Sequence, residues 1–197
     1  DRTTDNTIEV CRRFAGWWKI PVKVIPFTWR DDFAYARNVA LSKTSKKTTH
    51  ILWFDADDTI KGAEHIRPLC AALTPEVCGV LFPYFYGYDE FGNPNVVHDR
   101  QRIFVAAYGP WKWRYRVHEE PNPSIQGGRW LGATMVQVYH NPERSTQSAV
   151  GRNLRLLQME WSEEKTPRVA EFFGYQYFAS RDWENTCKWF QTFLGDF

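Results

Sequence analysis

The chain has 197 residues and a mass of 23.2 kDa, enough for one sizeable core that takes about 70% of the extended chain's surface out of water. Hydrophobic residues make up 43%, with 10 Trp, 14 Phe and 9 Tyr, which excludes a disordered, coiled-coil or collagen-like polypeptide. Twenty-five basic against 23 acidic residues give a formal net charge of +2, which neither demands nor excludes an anionic partner.

The sequence opens on a polar, turn-prone DRTTD with no strand before it. It reads as the inside of a domain: an upstream piece is missing, is supplied by another polypeptide, or has been deleted from a reduced domain. Residues 6–15 place Ile8, Cys11, Phe14 and Ala15 near helical spacing and predict a helix ended by Gly16. Val22 to Phe27 reads as a short strand. WRDDFAYARNVALSKT predicts a second helix with Phe33, Ala36, Arg37, Ala40 and Leu41 on one side. His50 to Phe54 is then a buried, parallel strand, expected beside Val22–Phe27 and stopping at Asp55. A helix over 62–73, a strand over 78–86 and hairpin chemistry at Asp89-Glu90 and Gly92-Asn93-Pro94 follow. Ile103 to Tyr108 extends the sheet, 109–128 is a long ligand-facing loop, and Leu131 to Tyr139 is a final strand.

From Ser145 the period becomes helical, with helices over 152–164, 168–180 and 183–193. The division is therefore 1–144, an α/β unit, and 145–197, an all-helical extension. No apolar run reaches the ~18 residues that span a membrane. Cys11, Cys70, Cys78 and Cys187 form no CxxC pair and read as free thiols of a reducing, cytoplasmic setting.

A strand that ends in Asp55-Ala56-Asp57-Asp58 puts carboxylates at a sheet edge, where open α/β sheets bind ligands. Hard oxygen ligands suit Mg²⁺ or Mn²⁺, with phosphate oxygens completing the shell. The other reading of the same residues is a turn that caps the next helix through Asp58 or Thr59. Spacing alone leaves both open.

Four blocks in order then resemble one family. WRDDFAYARNVAL followed by ILWFDADD, the block RIFVAAYGPWKWRYRVHEEP, the strand end VYH and the helices RNLRLLQMEWSE and PRVAEFFGYQYFASRDWENTCKWFQTFL are similar to the family 2 nucleotide-sugar glycosyltransferases of the GT-A fold. The subgroup is one whose catalytic domain is followed by tetratricopeptide-like helices. The opening DRTTDNT resembles their loop after the second strand, with threonines where Gly and Ser usually stand, and the family's first strand and base-holding loop are absent ahead of Asp1. The resemblance implies a GT-A-like, Rossmann-related mixed sheet flanked by helices, and a metal-dependent inverting transfer of sugar from a nucleoside diphosphate donor, UDP-linked, to an acceptor that is a saccharide, protein or nucleic acid.

It also distributes roles. Asp57 is the main metal ligand for Mn²⁺ or Mg²⁺, with Asp55 and His140 completing the set. Glu119 is the candidate general base, with Glu120 or a structural role as the other readings, and His118 orients it, touches phosphate or hydrogen-bonds the loop. Asp1, Asp32, Arg37, Asp55 and Asp58 face the nucleotide sugar. Trp111 and Trp130 offer stacking faces, although a packed aromatic core and, for Asp32 and Arg37, caps or salt bridges at the helix-sheet seam stand as the other readings. Two further functions stay open: a non-catalytic sugar- or nucleotide-binding scaffold, and a metal-dependent phosphoryl hydrolase built on the same aspartates. An early end to the helical array predicts exposed apolar surface and self-association there.

Overall fold

The computed structural model describes residues 5–141 and 146–195. Helix α1 (Thr7–Trp18) starts where the Asp5 carboxylate accepts from the Thr7 N–H at 3.0 Å. It runs through Gly16, the expected stop, and ends instead on Lys19 at φ 51°. Glycine weakens a helix by about 1 kcal/mol without breaking it. No residue of α1 is buried, and Phe14, Trp17 and Trp18 face outward. The strand expected over Val22–Phe27 does not form. Its β-branched residues have the propensity, but among the described residues nothing pairs with them, and Val22, Val24 and Phe27 are exposed.

Helix α2 (Phe33–Leu41) is capped by Asp32, whose carboxylate accepts from the Tyr35 N–H at 2.7 Å. The strands are β1 (His50–Leu52), β2 (Asp58–Lys61), β3 (Val77–Tyr88), β4 (Pro94–Val105), β5 (Lys112–Arg114), β6 (Glu120–Asn122), β7 (Arg129–Gly132) and β8 (Gln137–His140). The main sheet runs β1-β4-β3-β8-β2, with β7 also on β3, and β5 and β6 form a separate two-stranded ribbon. β3 is parallel to β7 and β8, while its hairpin with β4 is antiparallel, so the sheet is mixed. Short α3 (Ile66–Ala71) covers one face.

Three details correct the sequence reading. β1 is the edge strand, antiparallel to β4 in the register Ile51↔Phe104, not a parallel neighbour of residues 22–27. The expected 131–139 strand is two, β7 and β8, separated by a turn. Asp58 and Thr59 cap no helix: they open β2, whose pairing sets Asp58 opposite His140.

Side chains fill both faces of the sheet. Val80, Phe82, Tyr84, Ile103, Val136 and Val138 pack with Ile66 and Leu69 of α3 on one side. Ala34 of α2, Cys78, Phe104, Trp111 and Trp113 pack on the other. Each large side chain buried in this way stabilises the fold by about 1.5–3 kcal/mol.

Helices α4 (Thr146–Glu163), α5 (Pro167–Ala179) and α6 (Trp183–Gly195) follow. Leu156, Leu157, Val169 and Phe173 make a third cluster, and it includes Val117 and Phe33 from the α/β part. Tyr175, Phe178, Trp183 and Leu194 remain exposed on α5 and α6. All four cysteines are free thiols. Among the described residues no helix is long and apolar enough to cross a membrane.

Candidate functional site

The acidic turn is built from its backbone outward. The Asp58 N–H donates to the Asp55 carbonyl at 3.1 Å, closing a turn through Ala56 and Asp57, and the Asn141 N–H donates to the Asp57 carbonyl at 3.1 Å. The Asp58 carboxylate folds back under this turn. It accepts from the Asp55 N–H at 3.2 Å and the Tyr84 hydroxyl at 3.0 Å, and it pairs with Arg102 at 2.9 Å. Both side chains of that ion pair are 0% exposed. Asp58 is thereby the keystone of the turn, with its oxygens already engaged.

Arg102 reaches Asp58 because it is the extra residue of a β-bulge: Val80 pairs with Ile103 and Leu81 with Gln101, leaving Arg102 unpaired between them. Bulges re-aim a side chain in this way. Its guanidinium lies over the rings of Trp53 at 4.3 Å and Tyr84 at 4.6 Å. Burial pulls its pKa down against the opposing charge of Asp58. Burial beside Asp58 likewise pushes the Tyr84 phenol up, so it stays a donor. Trp53 also carries Arg37 at 4.1 Å and Arg100 at 5.2 Å, so three cations surround one indole.

Arg37 joins two segments far apart in sequence. Its Nη2 donates to Asp55 at 2.8 Å and its Nε to Glu119 at 2.6 Å, a partner 82 residues away. Arg100 stands 3.8 Å from the same Glu119 oxygen. Burial pulls the Asp55 carboxyl upward, but the charge and hydrogen bond of Arg37, helped by Arg100 and Arg102, outweigh it and hold the pKa below the ordinary value. Burial disfavours the Arg37 cation, and Glu119 with Asp55 more than restores it. Asp55 is therefore a partner of Arg37.

Donor atoms of Asp57, Asp58 and His140 lie within 4.8 Å of one another. Among the described residues the Asp57 carboxylate takes part in no hydrogen bond or ion pair, and the His140 Nδ1 is buried without a hydrogen-bond partner. A free carboxylate, a second carboxylate and an unpartnered imidazole nitrogen form an oxygen-and-nitrogen donor set that suits Mn²⁺ and, less closely, Mg²⁺. The residues fit such an ion. The set differs from the one expected, with Asp58 in the place of Asp55.

Other expected site residues stand elsewhere. His118, at φ 54°, stacks on Phe172 at 4.3 Å, with Gln176 at 3.3 Å. Burial, then the charge of Arg168, lowers its pKa to about 4. Trp111 is buried, stacked on Phe104 at 4.7 Å, and its indole N–H donates to the Val105 carbonyl. Trp130 sets its edge against Trp111 and Phe104. Trp111 thus belongs to the core, and Trp130 is partly buried against it. Asp32 is the α2 cap. Asp1 lies outside the described residues.

Arg100, Arg102 and Tyr84 were not marked by the sequence reading. The only signal in the chain is the alternation of His98, Arg100 and Arg102 in an otherwise apolar-ending strand.

A mixed sheet with helices on its faces, carrying an acidic turn at a strand end and an adjoining His, is a GT-A-like fold. The sequence description of glycosyl transferase family 2 matches residues 1–134, and the chain belongs to that family. It is 26% identical over 180 residues to the SPbeta prophage-derived glycosyltransferase SunS of Bacillus subtilis (strain 168), across 87% of this chain and 40% of that protein. The same figures hold for glycosyltransferase SunS of Bacillus phage SPbeta. The chain spans about 40% of the length of the curated relatives it matches.

Proposed function

We propose that this chain carries the catalytic machinery of a metal-assisted, inverting glycosyltransferase that moves a sugar from a UDP-linked donor to an acceptor. The observation that carries the reading is Arg37, which hydrogen-bonds the acidic turn through Asp55 and the 119 loop through Glu119 at once. A metal-donor cluster and a separate carboxylate therefore share one locus, as a displacement at an anomeric carbon requires.

In this reading Asp57 and His140 hold the ion, with Asp58 as a third, already neutralised carboxylate behind them. Bound there, Mn²⁺ or Mg²⁺ offsets the charge of the diphosphate and of the departing nucleoside diphosphate. Arg37 and Asp55 face the donor. Glu119, nearly buried and fixed through one oxygen by Arg37, takes the acceptor's proton with the other. His118 acts on Glu119 only through the loop. The helices α4 to α6, tetratricopeptide-like in the resemblance, hold that loop from behind, and their exposed apolar flank fits self-association. A polypeptide segment that adds a strand along β1 fits the open edge of the sheet.

The test is calorimetry of UDP binding with and without Mn²⁺, on the parent chain and D57A, beside a nucleotide-sugar hydrolysis assay. Mn²⁺ should strengthen UDP binding to the parent and have little effect on D57A. Equal metal dependence in both removes Asp57 from the site, and hydrolysis absent with or without Mn²⁺ favours the scaffold reading.

A further inference from the structure

The carboxylates of the donor cluster are fixed by the turn and by Arg102, but His140 is not fixed in the usual way. A metal-binding imidazole normally donates its second ring nitrogen to a carboxylate or carbonyl, and that bond sets the ring's orientation. Among the described residues neither ring nitrogen of His140 makes a hydrogen bond, and Nδ1 is buried. Something else must hold the ring.

β3 and β8 run parallel with Tyr84 opposite Val138 and Phe85 opposite Tyr139, and this register carried one residue further sets Tyr86 beside His140. The Tyr86 ring is stacked on the imidazole, with centroids 5.0 Å apart and planes 18° from parallel. Tyr84, two residues earlier on the same face of β3, meets the imidazole edge-on at 6.2 Å. Tyr84 is anchored by its hydroxyl to Asp58, whereas among the described residues the Tyr86 side chain makes only ring contacts, with His140, Tyr84 and His98. Tyr86 is also 50% exposed, so it contributes little to the core.

We infer that Tyr86 is a positioning residue for the metal site: its stack on His140 replaces the missing hydrogen bond and holds the imidazole where it can share an ion with Asp57. The inference rests on the metal reading of the preceding subsection. Offset aromatic stacking is directional enough for the task, since it restrains both the tilt and the slide of the ring.

The experiment is Mn²⁺ titration of the full chain, without nucleotide, followed by the electron paramagnetic resonance of the free ion. Y86A and Y86L should bind Mn²⁺ roughly tenfold more weakly, at the lower end of what is lost when an outer partner of a metal ligand is removed. Y86F keeps the stack and should stay within about twofold of the parent. H140A should lose more than any of them. Circular dichroism melting of each variant separates a loosened ligand from a loosened fold, and Y86L serves if Y86A is unstable. Affinities of Y86A and Y86L equal to the parent, with H140A impaired, overturn the inference and leave the metal site standing. A Y86F loss equal to that of Y86A overturns it too, by assigning the effect to the hydroxyl. No Mn²⁺ binding by the parent either alone or with UDP added, or no effect of H140A, removes the metal reading itself.

Discussion

Burial of His118 makes the stability of this protein depend on pH in a direction and range that the structure specifies. The imidazole is packed on Phe172 and beside Gln176, and its folded pKa of about 4 lies below the unfolded value of 6.5. The unfolded chain therefore takes up the proton first. The contribution is fully present above the unfolded value and is lost as pH falls towards the folded one. Between about pH 7.5 and pH 5 this single group removes about 2 kcal/mol, or roughly 4–8 °C in melting temperature for a chain of this size. Other groups titrate as well: His98, lowered by burial and by Arg100, adds to the loss, whereas Glu160, raised by burial, opposes it. A comparison isolates the one residue. H118N tolerates the left-handed backbone that His118 adopts and carries no titratable group. Urea unfolding of parent and H118N over this range should give a curve for the variant that is flatter by about 2 kcal/mol. Curves parallel to within about 0.5 kcal/mol would refute the reasoning, by showing that His118 is protonated as easily in the folded chain as in the unfolded one.

Two further outcomes follow from the ion pairs. R102M leaves the Asp58 charge fully buried with no cation beside it, and should cost about 3–5 kcal/mol in urea unfolding, part of which R102M/D58N recovers. A loss under about 1 kcal/mol for R102M would mean that water reaches Asp58. E119Q should retain donor binding and lower sugar transfer by about 10² or more, measured as acceptor-dependent release of nucleoside diphosphate. Transfer within about threefold of the parent assigns the proton to another group.

The acidic turn and His140 were legible in the sequence because a short run of carboxylates after an apolar strand has few structural uses. What Asp58 does was not. Its neighbour across the sheet, its bulge-displaced cation and the Tyr84 hydroxyl come from segments 26 to 82 residues away, and nothing local announces them. Adjacent His118 and Glu119 look like a pair on paper, yet His118 packs on Phe172 and Gln176 while Glu119 pairs with Arg37. The aromatic loop misled for a different reason: Trp111 sits among Arg, Pro and Gly, which suggest solvent, while its ring is drawn into the core by Phe104. The run of β-branched residues after Pro21 shows the limit of propensity, since a strand forms only where another strand accepts its hydrogen bonds. Helices α4 to α6 were the easiest to read, because their apolar period is local and they pack largely on one another.

The joint between those helices and the 119 loop has a mechanical meaning. Arg168 of α5 donates to the carbonyls of Val117 and His118, Glu160 of α4 accepts from the Arg116 N–H, and Phe172 lies flat on His118. Every residue from 116 to 118 is thus bolted to the tail, and the residue that follows is the carboxylate gripped by Arg37. The tail works as the rear bearing of the acidic loop, and its hydrogen bonds end one residue short of the Glu119 carboxylate.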